Sequence, residues 1–231
     1  FNALHGLSEN ATGSLGKAPS FPVRIVEDLQ LCTGTSHTGY PIMFDMSDAS
    51  IGTDVDDMRS TNVALNFYKE VGHNYQTWVW KWDDGPGSIG EVSNNLYIMY
   101  DRNRRGTWPE QTANWGEMIE YFVKNDNPDK NFDEGQEGSM IPSGKGSRIV
   151  PFAQLAQKFG WKIFTYLCNR AREMDNVNAN SLTKDMGRRE FFCKRVCEFA
   201  QADMRPFFDA WGIKYSAGVQ AELVKLPALK N

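Results

Sequence analysis

The chain has 231 residues, 41% of them hydrophobic and 23% charged, with a formal net charge of −4. That length buries one good core, so a single domain, or a domain with a small lobe, is expected. Charges of both signs are spread along the sequence, which argues against a nucleic-acid footprint, and no apolar run approaches the length of a membrane span. Seven Trp and fourteen Phe suit a carbohydrate or peptide cleft and a helical core equally well.

Residues 1–20 are rich in Gly, Ser, Ala and Asn and read as a flexible N-terminal segment or linker, so His5 receives no role. A start at Phe1 rather than Met suggests a processed product or a domain cut from a longer protein. The Asn10-Ala11-Thr12 triplet is a glycosylation acceptor only if the protein is secreted from a eukaryotic cell. Residues 21–31 alternate and are partly β-branched, which predicts a strand. A Gly- and Pro-punctuated loop over 32–41 leads to a short apolar strand, 42–44. From about 56 to 80 the apolar positions recur at three- and four-residue steps, predicting a helix that the Gly- and Pro-rich stretch 83–90 ends. A second helix is expected over 91–102, and further helices over 114–124, 151–159, 161–175, 183–201 and 203–211, with a long polar loop at 125–148. The expected class is α+β: a small sheet followed by a mostly helical body. The four cysteines, Cys32, Cys168, Cys193 and Cys197, are too few for a disulfide scaffold and lack zinc-site spacing; Cys193 and Cys197, one helical turn apart beside apolar neighbours, are expected to be buried free thiols.

The segment that carries chemistry is Lys69-Glu70-Val71-Gly72-His73. It has the form of the zinc-peptidase helix H-E-x-x-H with lysine in place of the first histidine. In the usual form two imidazoles four residues apart reach one Zn²⁺ from the same helix face, and the glutamate acts as general base on the metal-bound water. Glu91 follows His73 by eighteen residues at the head of the next helix, where a third ligand could return antiparallel to the first helix. Gly72 would allow that helix, or a substrate backbone, to come close. Each of these residues also fits a plainer role. Lys69 and Glu70 could be a solvated helix face, His73 a hydrogen-bonded core histidine, and Glu91 a helix-start residue favoured by the macrodipole. His37 could brace a turn and Tyr40 could simply pack. Asp54, Asp56 and Asp57 lack the spacing of a calcium loop and favour a helix start instead. Of Trp78, Trp80 and Trp82, one could stack on a sugar, although packing is the simpler expectation.

Several stretches in order resemble the M60 (enhancin-like) metallopeptidases, whose signature is H-E-x-G-H-N-x-Q followed by a Glu-Val-x-x-Asn helix. The matching residues are Lys69 to Gln76, then Glu91-Val92-Ser93-Asn94-Asn95. Upstream, Arg24-Ile25-Val26-Glu27-Asp28 and His37-Thr38-Gly39-Tyr40-Pro41 are similar to the family's strand and H-x-G-Y-P loop. Downstream, Phe159-Gly160-Trp161 and the run from Phe207 to Ile213 resemble its helical part. The resemblance covers 24–216 and implies a gluzincin-type catalytic domain over 21–216, with 217–231 as a C-terminal tail.

It implies further that Glu70 is the general base, that His73 and Glu91 are zinc ligands, and that His37, Tyr40 and Asn95 contact substrate. The implied enzyme is a secreted or surface-bound zinc endopeptidase acting on glycoproteins such as mucins, within a larger multidomain protein. Lys69 departs from this pattern at the first ligand position. An ammonium has three donors and no lone pair, and freeing one at neutral pH costs about 4–5 kcal/mol before any gain from a metal bond. Besides an engineered substitution in an otherwise active enzyme, the sequence therefore admits two readings. One is a metallopeptidase with impaired zinc catalysis, the missing ligand replaced by His37 or a neutral Lys69. The other is a pseudopeptidase serving as a glycan- or protein-binding or structural module, with Lys69 paired to Glu70 or Glu91.

Overall fold

In the computed structural model the described residues are 1–8, 10–11, 16–28, 36–45, 61–80, 82, 89–106, 116, 119–134, 147–174 and 186–230, with the side chains of 61–67, 80 and 147 outside the description. Asp54, Asp56, Asp57, Cys32 and the Trp80 side chain fall outside it.

A three-stranded sheet has the order β1-β3-β2. Strands β1 (Ile25–Asp28) and β3 (Ile42–Asp45) run parallel with Ile25 opposite Ile42, and β2 (Ser36–His37) pairs antiparallel to β3 with Ser36 opposite Phe44. Alternation along β3 sends Ile42 and Phe44 inward, where they pack against Val71 of the motif helix. The strand expected over 21–31 is shorter at its start, because Phe21 and Val23 are exposed and Pro22 has no N–H for a ladder. The expected loop 32–41 contains the two-residue strand β2.

The first residues form a docked helix, α1 (Asn2–His5), rather than the loose lead-in that their composition suggests. Leu4 and His5 are buried, and Thr165 Oγ1 donates to the Leu4 carbonyl at 2.9 Å. The motif helix α2 (Thr61–Tyr75) is followed by a 3₁₀ turn at Trp78–Trp80. The helix expected over 91–102 is two helices, α3 (Ile89–Ser93) and α4 (Asn95–Arg104), joined through a turn at Asn94. Residues Ile119–Val123 form a π-helical turn, and the polar 125–148 stretch holds a 3₁₀ turn at Phe132–Glu134 whose Phe132 is buried.

The helical body consists of α5 (Val150–Phe159), α6 (Lys162–Glu173), α7 (Met186–Ala200) and α8 (Arg205–Trp211), each near its sequence expectation. A further helix, α9 (Ala217–Leu223), occupies the expected tail, with Ser216 as N-cap and Val219 and Leu223 buried. One large core joins these helices to Trp82, Ile89, Val92, Leu96 and Tyr97. Cys168, Cys193 and Cys197 are free thiols inside it, and burial raises the Cys193 thiol well above its ordinary range. Trp78 and Trp82 are also structural. Trp78 Nε1 donates to the Ala171 carbonyl at 3.2 Å, and Trp82, fully buried, donates to Asp133 Oδ1 at 3.0 Å. None of the described helices is long and apolar enough to cross a membrane.

Candidate active site

The cleft is set by how closely α2 and α4 approach. A Cβ on Gly72 would lie 2.5 Å from Tyr97 Cδ2 and 3.2 Å from the Asn94 carbonyl oxygen, so only glycine permits this packing. With the helices this close, α3 delivers Glu91 to the α2 face that carries Lys69 and His73. Lys69 Nζ stands 3.3 Å from Glu91 Oε2, and His73 Nε2 stands 3.5 Å from Glu91 Oε1. Of the two carboxylates available to Lys69 in the sequence, Glu91 is its partner.

The imidazole of His73 is held at both nitrogens. Gln76 Nε2 donates to Ser93 Oγ at 2.9 Å and also to the Gly90 carbonyl, which leaves Gln76 Oε1 as an acceptor. His73 Nδ1 lies 2.9 Å from that oxygen and therefore carries the proton. Nε2 then presents its lone pair, and Asn94 Nδ2 donates to it at 2.8 Å. Asn95 fixes the orientation of Asn94, because its Nδ2 lies 3.2 Å from Asn94 Oδ1. The same Asn95 amide reaches the carbonyls of Glu91 and Val92 at 3.1 and 3.2 Å, so the side chain is turned into its own helical turn.

Glu70 is 5% exposed and accepts a hydrogen bond from Ser36 Oγ at 2.9 Å. Thr38 Oγ1 lies 3.0 Å from the Glu70 carbonyl oxygen and 2.7 Å from Asn74 Oδ1, while Asn74 Nδ2 donates to the Gly39 carbonyl at 2.9 Å. The strand and its loop are thus pinned along one side of the motif helix. His37 is the second residue of β2, after Ser36 and opposite Met43 of β3. Tyr40 is 65% exposed, with its ring 6.4 Å from that of Phe21.

These side chains do not fit a zinc ion. His73 and Glu91 are two donors of the required kind, Lys69 supplies a cation in the third place, and the His73 lone pair is already engaged. Among the described residues no group of three or more His, Cys, Asp or Glu side chains could hold a metal. Magnitudes show which obstacle matters. Lys69 and Glu91 are about a third exposed, so their ion pair is worth under about 1 kcal/mol. The Asn94 hydrogen bond adds about 1 kcal/mol. Structural zinc sites bind with about 10–16 kcal/mol, which would displace both. The decisive loss is the third donor.

A family model for "Peptidase M60, enhancin and enhancin-like" matches residues 1–212. The chain belongs to the M60 family. TRPM8 channel-associated factor 2 of Homo sapiens is 28% identical over 206 residues, covering 89% of this chain and 21% of that protein. The Xenopus laevis homologue of this factor is 25% identical over 214 residues, again 89% of this chain and 21% of that protein. The chain therefore spans about a fifth of these relatives. Among solved structures, a conserved protein of unknown function from Bacillus anthracis superposes with a TM-score of 0.77 at 22% identity, over 100% of this chain and 44% of that one. The IMPa metallopeptidase of Pseudomonas aeruginosa gives 0.64 at 18% identity, over 98% of this chain and 30% of that one. These likenesses establish the M60 fold.

Sequence reasoning named Lys69, Glu70, His73 and Glu91; α2 and α3 bring Lys69, His73 and Glu91 together, while Glu70 accepts from Ser36 of β2. It missed Ser36, Asn94 and the part played by Gln76. Gln76 was present as a motif letter. Nothing in a single sequence marks Asn94, which owes its place to the turn between α3 and α4.

Proposed function

We propose that this M60 domain keeps the cleft of a glycoprotein peptidase but has lost zinc hydrolysis, and that it serves as a binding module for O-glycosylated protein. The observation that carries the reading is Lys69 Nζ at 3.3 Å from Glu91, standing as a cation where the family pattern has a ligand. The glycoprotein part rests on similar structures: IMPa has been solved with T-antigen and with an O-glycopeptide. In the metal-free cleft Glu70, held by Ser36, and the Lys69–Glu91 pair offer an acceptor and a donor to a bound peptide backbone. In this reading the domain works outside the cell or at its surface as one part of a longer protein.

The test has two arms. Zinc per chain is measured by elemental analysis on protein purified without chelators or a metal-binding tag, for the wild type and Lys69→His. Binding and cleavage of an O-glycosylated mucin peptide are followed in parallel. The expected result is no zinc and no cleavage but measurable binding by the wild type, with zinc near one per chain in Lys69→His. One zinc per wild-type chain together with cleavage would instead establish an active peptidase with a substitute ligand. Absence of glycopeptide binding would remove the binding module.

A further inference from the structure

A cavity of about 760 Å³ lies on another side of the motif helix, and none of Lys69, Glu70, His73 or Glu91 lines it. Its walls come from the N-terminal segment, the loop at Gly39 and Tyr40, the end of α2, and α6. Leu7, Val23 and Val71 give it apolar surface, and Phe21 and Tyr40, 74% and 65% exposed, stand among its lining residues. Lys17 and Arg172 line it as well, and among the described residues no carboxylate does. Arg172 is fixed in place by donating to the His5 carbonyl and to Asn169 Oδ1.

We propose that this cavity is a second binding site, separate from the cleft described above, for an acidic peptide segment carrying an apolar side chain. Volume and lining match the usual size of a ligand pocket with a few placed polar groups. Charge selects the ligand: Lys17 and Arg172 on the lining favour an anion and disfavour a basic segment. The polar inventory separates a peptide from a sugar. A saccharide must pair many hydroxyls on burial, yet most polar groups here are committed. His5 Nε2 is engaged with Tyr97 Oη, the Asn74 amide with Thr38 and Gly39, and Asn2 Oδ1 with Tyr75. An apolar side chain loses nothing by entering, and acidic neighbours reach the two cations.

The probe is a fluorescein-labelled hexapeptide of two glutamates, leucine, phenylalanine and two glutamates, titrated with the intact chain and followed by anisotropy. Saturable binding is expected, weakened at least tenfold by Lys17→Glu and by Phe21→Ser, both at exposed positions, and unchanged by Glu91→Gln. Circular dichroism of each variant confirms folding, and a lysine-for-glutamate version of the peptide should fail to bind. The proposal is overturned if the acidic peptide does not bind, if the lysine version binds as well, or if Lys17→Glu has no effect. A loss in Glu91→Gln alone would place the peptide in the motif cleft and also overturn it. Tighter binding of an acidic trisaccharide than of the peptide would make this a sugar site, against the proposal. None of these outcomes depends on whether the motif cleft binds glycopeptide.

Discussion

Asn94 Nδ2 lies 2.8 Å from His73 Nε2, on the lone pair that a metal would need, and Asn94 itself is fully buried. The amide completes a chain from Gln76 through the imidazole to the second helix, so the cleft is satisfied without an ion. Removing the amide still leaves the third donor missing. Asn94→Ala is therefore expected to bind no zinc and to lose about 1–3 kcal/mol of stability as buried groups go unpaired. Elemental analysis and denaturant unfolding measure both. Zinc uptake by Asn94→Ala would show that the amide, not Lys69, excludes the metal.

Gly72 sits inside a helix, where alanine ordinarily stabilises by about 1 kcal/mol. Here the added methyl would meet Tyr97 Cδ2 at 2.5 Å, and overpacking costs about 1–3 kcal/mol. The clash wins, so Gly72→Ala should lower stability in urea unfolding by up to about 2 kcal/mol. A more stable variant would mean that α2 and α4 do not meet as closely as described.

His5 is buried against Tyr97, and burial lowers its pKa from 6.5 to about 3. Between those values the unfolded chain binds a proton that the folded chain refuses, so stability falls as pH drops. The contribution is complete above pH 6.5 and erodes progressively toward pH 3. By pH 4 the loss from this residue is about 3 kcal/mol. Unfolding free energies measured from pH 7 to 4 should show a shallower slope in His5→Gln than in the wild type, whatever its stability at pH 7.

Arg189 Nη2 pairs with Asp133 Oδ2 at 2.6 Å, with both side chains largely buried, and Asp133 Oδ1 takes the Trp82 indole proton. Asp133→Ala strands a buried guanidinium and should cost about 3–5 kcal/mol. Adding Arg189→Met should recover part of that loss, because the stranded charge is gone. Thermal or denaturant unfolding of the single and double variants checks this.

The long helices of the C-terminal body were legible because each repeats its apolar positions over three turns, which is enough for the helical period to stand out. Two residues of strand carry no period, so β2 was hidden inside a loop, and with it the Ser36 contact to Glu70. The turn at Asn94 was hidden for the opposite reason: apolar residues on both sides keep the helical spacing across the break. Residues 1–8 were misread because small polar residues dominate their neighbourhood, while their docking depends on Leu4 and His5 and on partners more than 90 positions away. At the site, motif letters gave the participants on α2 and α3 but not their partners from β2, and Lys69 left its choice between Glu70 and Glu91 to the geometry.

Tyr97 is touched from two directions. Gly72 lies so near one edge of the ring that a Cβ there would clash with it, and His5 stacks on the ring with centroids 5.5 Å apart. The opening segment is thereby a buttress for the helix pair that holds His73 and Glu91. A shortened form lacking residues 1–8 would lose its support at the ring that spaces those helices, and the damage would surface in the cleft rather than at the cut.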